Sequence, residues 1–559
     1  MAKVDLSILI GGAAGDGTRQ SGYLAARLFR GLGYYVFVHE DYPSLIRGGH
    51  NFSVIRISDK PVFCHKNRID ILIAMDASTI AVHKNQLNER HEVIFDSGDL
   101  PPSSGIGIEM RKIVKEKKYD EIMRNTIAVG ALSYLLGAGA GDLEELIRKI
   151  YKKFIDENVE LAGIGYEHAK NSGSVFVKLA RIENTGSVLL TGSEAIGLGV
   201  VKAGLKNYIA YPMTPATPLL HFLAANQDKF NILVIHAENE IGVANMAIGS
   251  AFTGLKTMVG TSGGGFALMT EAVSLSAQSE VPVVFMMAQR AGPATGLPTY
   301  TMQGDLFFVL NAGHGEFRKI VASPGDASEA YRVSAELFNL SWKCQISGFL
   351  LIDKELAEST YTFDVSGVDD VKAEPPLMWD GKGDYGRYRI TESGVSPLAF
   401  PGTKGISVRG TGYEHDENGI TTEDSAKTEA MISKRLRKRE PLIGELKKIR
   451  TVNVFGNPDS DTAVVTWGFT KGACLEVCNE LNLKLIQPIY LEPFPLWEME
   501  KALLGVKKIM CVELNATGQL AKLLKFNGIE VDRRILKFDA RPFSFEELNE
   551  KLKEVLKWK

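Results

Sequence analysis

The hydrophobic pattern of the first 180 residues alternates between short apolar runs and amphipathic stretches. It opens with the run VDLSILI, followed by GGAAGDG, the amphipathic stretch SGYLAARLFRGLG and a second apolar run, YYVFVHE. Near-continuous apolar runs are typical of buried strands, so this order predicts a strand, a glycine turn, a helix and a strand, the start of a doubly wound α/β domain. Later apolar residues recur at helical spacing and predict one helix face: Leu143, Leu146, Ile147, Ile150, Tyr151 and Phe154.

The rest of the chain repeats the α/β pattern twice, with a different stretch in between. The runs NILVIHA, KTMVGT, VPVVFMMA and GFLLID alternate with small-residue helices up to about residue 372. After about residue 450, DTAVVTWG, LKLIQPIYL and VKKIMCVEL do the same. Between these parts, prolines, glycines and charges replace any long apolar period. We therefore predict an α/β protein of three doubly wound domains, 1–180, 185–372 and 450–559, with a long irregular connector at 373–449.

The connector ends in a basic run, KRLRKRE, at residues 434–440. A run of like charges is usually a solvated helix face, and we interpret it in this way. The alternative is a surface that binds an acidic partner or a phosphate.

Charge and cysteine content exclude several classes of protein. The chain has 64 Lys+Arg against 67 Asp+Glu, and a net charge of −3 argues against a nucleic-acid binder, which needs a basic surface. The five cysteines are too scattered for a disulfide framework, and Cys474 and Cys478 cannot hold a cluster alone, so we expect no metal site on this chain. The N-terminus lacks a signal-peptide pattern, and prolines interrupt the longest charge-free stretch, 207–227. We expect a cytoplasmic protein without a membrane span.

The glycine loop near the N-terminus is the first candidate binding site. Gly11, Gly12, Gly15 and Gly17 would let backbone N–H groups approach a phosphate-bearing ligand at the start of the next helix. Alternatively, the glycines serve only a tight turn between strand and helix. The spacing departs from the nicotinamide fingerprint G-x-G-x-x-G. A thiamine diphosphate–magnesium motif is rejected as well, because Asn51 has no asparagine partner.

In the second domain, the segment Tyr211-Pro-Met-Thr-Pro follows the strand NYIA. Ligands of open α/β sheets bind at the carboxyl ends of strands, where this segment is expected to lie. The flanking prolines restrict the backbone and hold the hydroxyl of Thr214 in place. Tyr211 and Pro212 are therefore candidate ligand contacts beside it.

Two further strand ends carry charged residues. Glu238 and Glu240 follow NILVI, and Arg290 follows the strand VPVVFMMA. A carboxylate beside apolar surroundings is suited to proton transfer, although either glutamate could simply cap the next helix. Arg290 is suited to a bidentate clamp on a carboxylate, with an ion pair between domains as the alternative.

Together these segments resemble the 2-oxoacid:ferredoxin oxidoreductases, in the form of an α subunit with a γ domain fused ahead of it. GGAAGDGTRQSGYLAARL and PSLIRGGHNFSVIRISD resemble the γ domain. YPMTP, AENEIGVANMAIGSAFTG, GTSGGGFALMTEA and QRAGPATGLPT resemble the pyrimidine-binding α domain. GTGYEHDENG resembles the connector of 2-oxoglutarate-type subunits, and ELNATGQLAKLL with DARPF resembles a transketolase C-terminal-like domain. The resemblance covers nearly the whole chain.

The resemblance implies a cofactor and roles for three residues. Thiamine diphosphate would do the organic chemistry while the protein orients it. Glu240 matches the glutamate that hydrogen-bonds the aminopyrimidine ring, Thr214 the threonine that hydrogen-bonds the substrate, and Arg290 the arginine that binds the substrate carboxylate. Coenzyme A would accept the acyl group, but the γ-loop glycines differ from the usual pattern, which weakens the assignment of its phosphates to Gly11–Gly17.

The resemblance also implies partners. Mg²⁺ and a [4Fe-4S] cluster are expected on a separate β subunit, with ferredoxin as electron acceptor and a dimer of γα–β heterodimers as the assembly. The substrate expected from the connector is 2-oxoglutarate, with pyruvate or branched-chain 2-oxoacids left open. Alternatives from other classes are a nicotinamide dehydrogenase and a non-catalytic coenzyme A-binding or scaffold subunit.

Overall fold

The computed structural model describes residues 4–45, 49–98, 104–184, 186–368 and 371–557. By its internal contacts the chain divides into two compact units. The first comprises Met1–Leu190, Ser359–Gly367 and Phe543–Lys559, and the second comprises Thr191–Glu358 and Val368–Pro542. The segments 359–367 and 543–559 thus belong to the same compact unit as the N-terminal part of the chain. The predicted domains, in contrast, were continuous stretches of sequence. Those boundaries stay a prediction.

The described residues form the following strands, in chain order: β1 Asp5–Ala13, β2 Tyr35–Asp41, β3 His50–Ser58, β4 Ile69–Ala74, β5 Leu87–Asp96, β6 Ile106–Ile108, β7 Ser187–Thr191, β8 Asn207–Ala210, β9 Leu233–His236, β10 Thr257–Thr261, β11 Val284–Gln289, β12 Ile320–Ala322, β13 Gly348–Asp353, β14 Thr360–Asp364, β15 Val452–Gly456, β16 Thr462–Val465, β17 Lys484–Pro488, β18 Tyr490–Glu492, β19 Lys508–Glu513 and β20 Arg533–Leu536.

The α-helices of the described residues are α1 Thr18–Gly31, α2 Ala77–His83, α3 Met110–Glu116, α4 Arg124–Leu135, α5 Ala140–Ile150, α6 Ile155–Ser172, α7 Gly192–Lys202, α8 Thr217–Ala225, α9 Gln227–Phe230, α10 Glu240–Phe252, α11 Gly263–Gln278, α12 Leu306–Leu310, α13 Ala327–Cys344, α14 Lys354–Glu358, α15 Ser425–Arg437, α16 Arg439–Leu446, α17 Lys471–Leu481, α18 Leu496–Ala502, α19 Gln519–Phe526 and α20 Phe545–Lys557. Short 3₁₀ helices lie at Lys84–Gln86, Glu121–Met123 and Gly468–Thr470.

The sheet of the first unit is mixed. Among the described residues its strand order is β6-β5-β4-β1-β3-β2-β14-β7. The predicted succession of β1, the glycine turn, α1 and β2 is present, but β3 lies between β1 and β2 and pairs antiparallel with both. Parallel pairs run from β1 through β4 and β5 to β6. Apolar side chains such as Ile8, Ile10, Ile55 and Ile71 are fully buried, and each contributes about 1.5–3 kcal/mol relative to exposure.

The sheet that carries the predicted ligand-binding segments is almost entirely parallel. Its order in the described chain is β18-β12-β13-β11-β10-β8-β9, with β18 as an antiparallel edge. Phe285 of β11 stacks on Phe349 of β13 at 5.3 Å between ring centroids, and Phe266 of α11 packs edge-on against both. The continuous apolar runs of β10, β11 and β13 are therefore explained by burial on both faces, as predicted, whereas β9 at the sheet edge is partly exposed.

The third sheet has the order β15-β17-β16-β19-β20 in the described residues, with β17, β16, β19 and β20 parallel and β15 antiparallel. The predicted α/β class is therefore confirmed in all three sheets. Cys474 and Cys478 of α17 and Cys511 of β19 are buried and free, and burial raises the pKa of each thiol. These thiols are consequently poor nucleophiles.

Two local predictions differ from the structure. The helix predicted through Phe154 ends at Ile150, and Phe154 precedes α6 in the left-handed conformation, with φ of 53°. Apolar spacing continued through the turn because Tyr151 also packs against the core. The predicted irregular connector holds only isolated bridges up to Asp424. There the Asp424 side chain accepts a hydrogen bond from Lys427 N–H and begins α15.

The interpretation of the basic run as a solvated face is wrong for its main cations. Lys434, Arg435 and Lys438 are buried. Lys434 Nζ donates to both carboxylate oxygens of Glu280, at 2.7 and 2.8 Å, and Lys438 pairs with the same carboxylate. Burial opposes the charged form of Glu280, but the two ammonium groups outweigh it and hold the pKa of the carboxyl below its usual range. This cluster attaches the connector to the end of α11.

The GTGYEHDENG segment of the connector is likewise held by side-chain contacts. Glu414 accepts two hydrogen bonds from Arg435, at 3.0 and 2.6 Å, and His415 is buried against the ring of Tyr388. Asp416 accepts backbone N–H bonds from Asn418 and Ile420 that close the turn. The residues of this motif therefore have a structural explanation in the packing of the connector.

No helix of the described residues is both long and apolar enough to cross a membrane. Within the same residues, no group of three or more His, Cys, Asp or Glu side chains is placed to hold a metal ion.

Replacing Glu280 by glutamine should strongly destabilise the second unit. The change leaves Lys434 and Lys438 buried without a counter-charge, a situation that costs about 3–5 kcal/mol. Urea unfolding followed by circular dichroism should show a clearly lower midpoint. The matched control is Glu445→Gln on α16, whose carboxylate pairs with Lys343 and Lys448 nearer the surface and should cost less than about 1 kcal/mol. Equal midpoints for the two variants would contradict this account.

Candidate functional site

The predicted ligand-binding segments of the second unit meet at one edge of its parallel sheet. β9, β8, β10 and β11 are consecutive neighbours and run in the same direction. Their carboxyl ends lead into Glu240, Thr214, Ser262 and Arg290 respectively. Three of these four residues were singled out from sequence, and the parallel register brings their segments together.

Arg290 and the Tyr211–Pro215 segment are in direct contact. Arg290 Nη1 donates a hydrogen bond to the backbone carbonyl oxygen of Thr214 at 2.8 Å. The contact holds the guanidinium against the loop, and it involves the backbone carbonyl of Thr214 and not its side chain. Among the described residues, no partner hydrogen-bonds the Thr214 hydroxyl, which leaves it free for a ligand. Arg290 forms no salt bridge within the described residues, so its alternative role as an ion pair between domains gains no support there.

Tyr211 and Pro212 line the same strand end. Tyr211 is 37% exposed, and its ring packs edge-to-face with His236, at the end of β9, with 5.9 Å between centroids. Pro212 is half-buried. Both residues lie at the predicted strand end, and their contact with a ligand stays a prediction.

Glu240 does not cap its helix. Asn239 is the N-cap of α10 and accepts a hydrogen bond from Gly242 N–H at 2.9 Å, while Glu240 occupies the first helical position. Glu238 is exposed, whereas Glu240 is only 4% exposed. The Oε1 atom of Glu240 has no hydrogen-bond partner among the described residues. A buried carboxylate oxygen without a donor is costly, which favours a role in binding a ligand that supplies one.

Glycine at position 265 makes room for this carboxylate. A Cβ atom on Gly265 of α11 would lie 2.7 Å from Glu240 Oε1 and 2.2 Å from Thr261 Oγ1. At the same helix end, the buried hydroxyl of Ser262 has no hydrogen-bond partner within the described chain. The GTSGGG motif thus allows α11 to approach Glu240 closely and leaves a second polar atom for a ligand.

Sequence reasoning missed Asp305, which lies beside Arg290. Burial raises the pKa of Asp305 to about 6, although the Arg290 guanidinium acts in the opposite direction. Burial also lowers the pKa of Arg290, and Asp305 opposes that shift. Asp305 directly precedes α12 and has the appearance of an ordinary N-cap, so local sequence contained no signal for it.

The glycine loop of the first unit is closed by its own aspartate. Asp16 Oδ2 accepts a hydrogen bond from Ala13 N–H at 2.9 Å, and Asp16 Oδ1 pairs with the buried Arg124 at 2.7 Å. Gly15 and Gly17 have positive φ angles of 103° and 73°, which only glycine adopts easily.

The alternative, that these glycines serve only the tight turn between strand and helix, is consistent with the close neighbours of three of them. A Cβ on Gly12 would meet Asp16, one on Gly17 would meet Asn125, and one on Gly11 would meet Thr79. A phosphate-binding role for Gly11, Gly12, Gly15 and Gly17 stays a prediction. Residues 46–48 of the neighbouring PSLIRGGH motif lie outside the described residues.

Two protein families match the chain. The family described as "Pyruvate flavodoxin/ferredoxin oxidoreductase, thiamine diP-bdg" matches residues 198–434, which include the edge described above. The family described as "Pyruvate ferredoxin/flavodoxin oxidoreductase" matches residues 7–168.

Individual relatives match over nearly the full length. The 2-oxoacid:ferredoxin oxidoreductase subunit alpha of Saccharolobus solfataricus is 33% identical, over 99% of this chain and 98% of the relative. The 2-oxoglutarate oxidoreductase subunit KorA of Mycobacterium tuberculosis is 25% identical, over 93% of this chain and 86% of the relative.

A solved structure shares the whole fold. It is a 2-oxoglutarate:ferredoxin oxidoreductase from Magnetococcus marinus, with 2-oxoglutarate, coenzyme A and succinyl-CoA bound, and it is 30% identical in sequence. The match has a TM-score of 0.90 and covers 98% of this chain and 99% of that chain. The chain therefore belongs to the 2-oxoacid:ferredoxin oxidoreductase family of oxidoreductases, among the α subunits.

Proposed function

We propose that this chain is the fused γα subunit of an enzyme that oxidises 2-oxoglutarate to succinyl-CoA with thiamine diphosphate, coenzyme A and ferredoxin. In balanced form, 2-oxoglutarate, coenzyme A thiol and two oxidised ferredoxins yield succinyl-CoA, carbon dioxide, two reduced ferredoxins and one proton. The observation that carries the proposal is the buried carboxylate oxygen of Glu240, which lacks a donor at the carboxyl edge of the sheet.

The residues at this edge fit thiamine diphosphate. When bound, the cofactor supplies the carbanion chemistry that removes carbon dioxide from a 2-oxoacid. Glu240 Oε1 is suited to share a proton with a ring nitrogen of the cofactor's pyrimidine, because no protein group competes for it in the described chain. Low exposure keeps water away from that proton.

Arg290 and Thr214 would bind the substrate. The guanidinium of Arg290 is held by the Thr214 carbonyl and keeps further N–H donors for a carboxylate. The hydroxyl of the same residue, Thr214, would hydrogen-bond the 2-oxo group. Together they would orient a 2-oxoacid at the same sheet edge as Glu240.

The choice of 2-oxoglutarate rests on relatives. The Magnetococcus marinus structure contains 2-oxoglutarate and succinyl-CoA, and the Mycobacterium tuberculosis relative is named for 2-oxoglutarate. The Saccharolobus solfataricus relative is named only for 2-oxoacids, so pyruvate and branched-chain acids are the competing substrates in the same class.

A β subunit is part of the proposal. The α10 and α11 helices pack together and expose Ile241, Met246 and Leu268, each 43–52% exposed, beside the Glu240 site. Exposed apolar side chains next to a binding site are typical of a surface that a partner protein covers. Mg²⁺ and the [4Fe-4S] cluster are assigned to that partner, and the assembly to a dimer of γα–β heterodimers.

Coexpression with the β subunit provides the first test. The purified complex, loaded with thiamine diphosphate, should reduce a viologen dye in a coenzyme A-dependent reaction, with 2-oxoglutarate preferred over pyruvate and 2-oxoisovalerate. The γα chain alone should be inactive. Preference for another acid would overturn the substrate while leaving the reaction class, and inactivity of a loaded complex with every 2-oxoacid would overturn both.

Glu240→Gln should lower kcat of the complex by about 100-fold or more, the usual contribution of a positioned acid–base group. Glutamine retains the shape of the side chain but cannot exchange a proton, so the unfolding midpoint should change little. Calorimetric titration with thiamine diphosphate should also show weaker binding. The exposed neighbour supplies the control, since Glu238→Gln should keep full turnover. Full turnover of the Glu240 variant would remove Glu240 from the mechanism.

Arg290→Gln should raise KM for the 2-oxoacid by about 10- to 100-fold, because a charge-assisted hydrogen bond contributes about 1.5–3 kcal/mol. Arg290→Lys should restore only part of this loss, since an ammonium cannot form a bidentate pair. Steady-state kinetics at fixed coenzyme A would measure both. Unchanged KM in the glutamine variant would rule out Arg290 as the carboxylate ligand.

A further inference from the structure

Asp305 is a carboxylate that the proposed reaction does not yet use. Its backbone N–H donates to Gln289 Oε1 at 3.0 Å, and Gln289 in turn donates from Nε2 to Ile352 O at 3.2 Å. Gln289 is 1% exposed and immediately precedes Arg290. The backbone of Asp305 is therefore held firmly next to the residue that is proposed to bind the substrate carboxylate.

The loop that carries Asp305 is anchored a second time at Gln303. The side chain of this fully buried residue donates to Asp353 Oδ2 at 3.2 Å and to Trp467 O at 3.1 Å. Its Oε1 accepts a hydrogen bond from Thr470 Oγ1 at 2.9 Å. The segment that carries Asp305 is therefore attached to Gln289 of β11, the residue before Arg290, and to Asp353 of β13.

The carboxylate of Asp305 lies over the first turn of α11. A Cβ atom on Gly263 would be 3.4 Å from Asp305 Oδ2. Within the described residues, no donor hydrogen-bonds either oxygen of Asp305. Arg290 is the charged group that acts on this carboxylate electrostatically, and the two side chains form no salt bridge within the described residues.

The other elements around Asp305 contribute few charges. From α19 the neutral Gln519 donates to Gly304 O at 2.6 Å. On the far side of the α11 turn lies Glu240, next to Gly265. On β13, Asp353 is the register partner of Gln289 and accepts bonds from Gln303 and from Leu356 N–H. Arg290 is thus the cation that acts electrostatically on the Asp305 carboxylate.

We propose that Asp305 is a positioning residue that sets how strongly Arg290 attracts the substrate carboxylate. An ionised Asp305 offsets part of the Arg290 charge and repels an incoming anion, whereas a protonated Asp305 leaves the full charge available. The inference rests on the proposed function in one respect, that the ligand of Arg290 is a 2-oxoacid.

The sign of the pH dependence follows from linkage. Burial raises the pKa of Asp305 to about 6 in the free protein. A bound carboxylate favours the protonated form, so binding of the 2-oxoacid is tightest below about pH 6 and weakens as the pH rises through that value. Because the repulsion acts on ground-state binding, KM should change and kcat should change much less.

The first experiment examines the pair without substrate. Infrared difference titration of the γα–β complex should show one carboxyl group that titrates near pH 6 and is absent in Asp305→Asn. Arg290→Gln should move that titration to higher pH, because the cation that favours the ionised form is gone. A titration unaffected by Arg290→Gln would overturn the coupling.

The second experiment measures KM for 2-oxoglutarate and pyruvate between about pH 5.5 and about pH 8. In the unmodified complex KM should rise about tenfold over this range. Asp305→Asn should keep the low KM at every pH, with kcat nearly unchanged. The matched control is Glu492→Gln, since burial also raises the pKa of Glu492 but its cationic neighbours are Arg439, Arg318 and Lys319. That variant should retain the unmodified profile.

The outcomes separate the two proposals. An Asp305→Asn variant whose KM is raised equally at all pH values, or still varies with pH as before, would overturn the inference. If the infrared coupling is present but no 2-oxoacid is turned over, the proposed function fails while the pairing of Asp305 with Arg290 stands.

Discussion

Parallel pairing of β9, β8, β10 and β11 is the constraint on which the candidate site depends. β8, β10 and β11 are buried along their whole length, so their polar residues can reach solvent or a ligand only where the strands end, whereas β9 is a partly exposed edge strand. Because the strands run in the same direction, these ends lie at one edge. Glu240, Thr214 and Arg290 are far apart in sequence and meet at that edge for this reason. Phe285 of β11 and Phe349 of β13 are register partners in this sheet, and their rings stack on each other.

The carboxylates of the second unit differ in their surroundings. This difference distinguishes a carboxylate with a structural role from those proposed to act in ligand binding. Glu280 has two ammonium groups within ion-pair distance and is a structural link between α11 and the connector. Glu240 is buried and its Oε1 atom has no donor in the described chain, whereas Asp305 is half-buried and its carboxylate accepts no hydrogen bond from a described residue. Unsatisfied buried charge is expensive, so such groups persist where a ligand or a partner repays the cost. Both lie at the carboxyl edge, on either side of the first turn of α11.

The first unit shows how a binding motif can be explained by packing. GGAAGDG has the composition of a phosphate-binding loop. However, Asp16 of this loop accepts a hydrogen bond from the N–H of Ala13 and forms a salt bridge with Arg124. Positive φ angles and close neighbours explain most of the glycines without a ligand. The connector behaves similarly, since its basic run faces inward and its EHDENG segment is fixed by Arg435 and Tyr388. Composition alone did not show whether these charged and glycine-rich segments face solvent or pack against other elements of the chain.

The sequence by itself determined the features that depend on neighbours along the chain. Continuous apolar runs identified β1, β2, β10, β11, β13 and β19, and polar residues that directly follow such runs located Tyr211, Thr214, Glu240 and Arg290. Tertiary structure decided what depends on distant residues. It buried Glu240 and left Glu238 exposed, turned Lys434 and Lys438 inward onto Glu280, and brought Asp305 beside Arg290 across a loop. Periodicity reports which face of an element is apolar, whereas burial of a charge and the identity of its partner depend on which elements pack together.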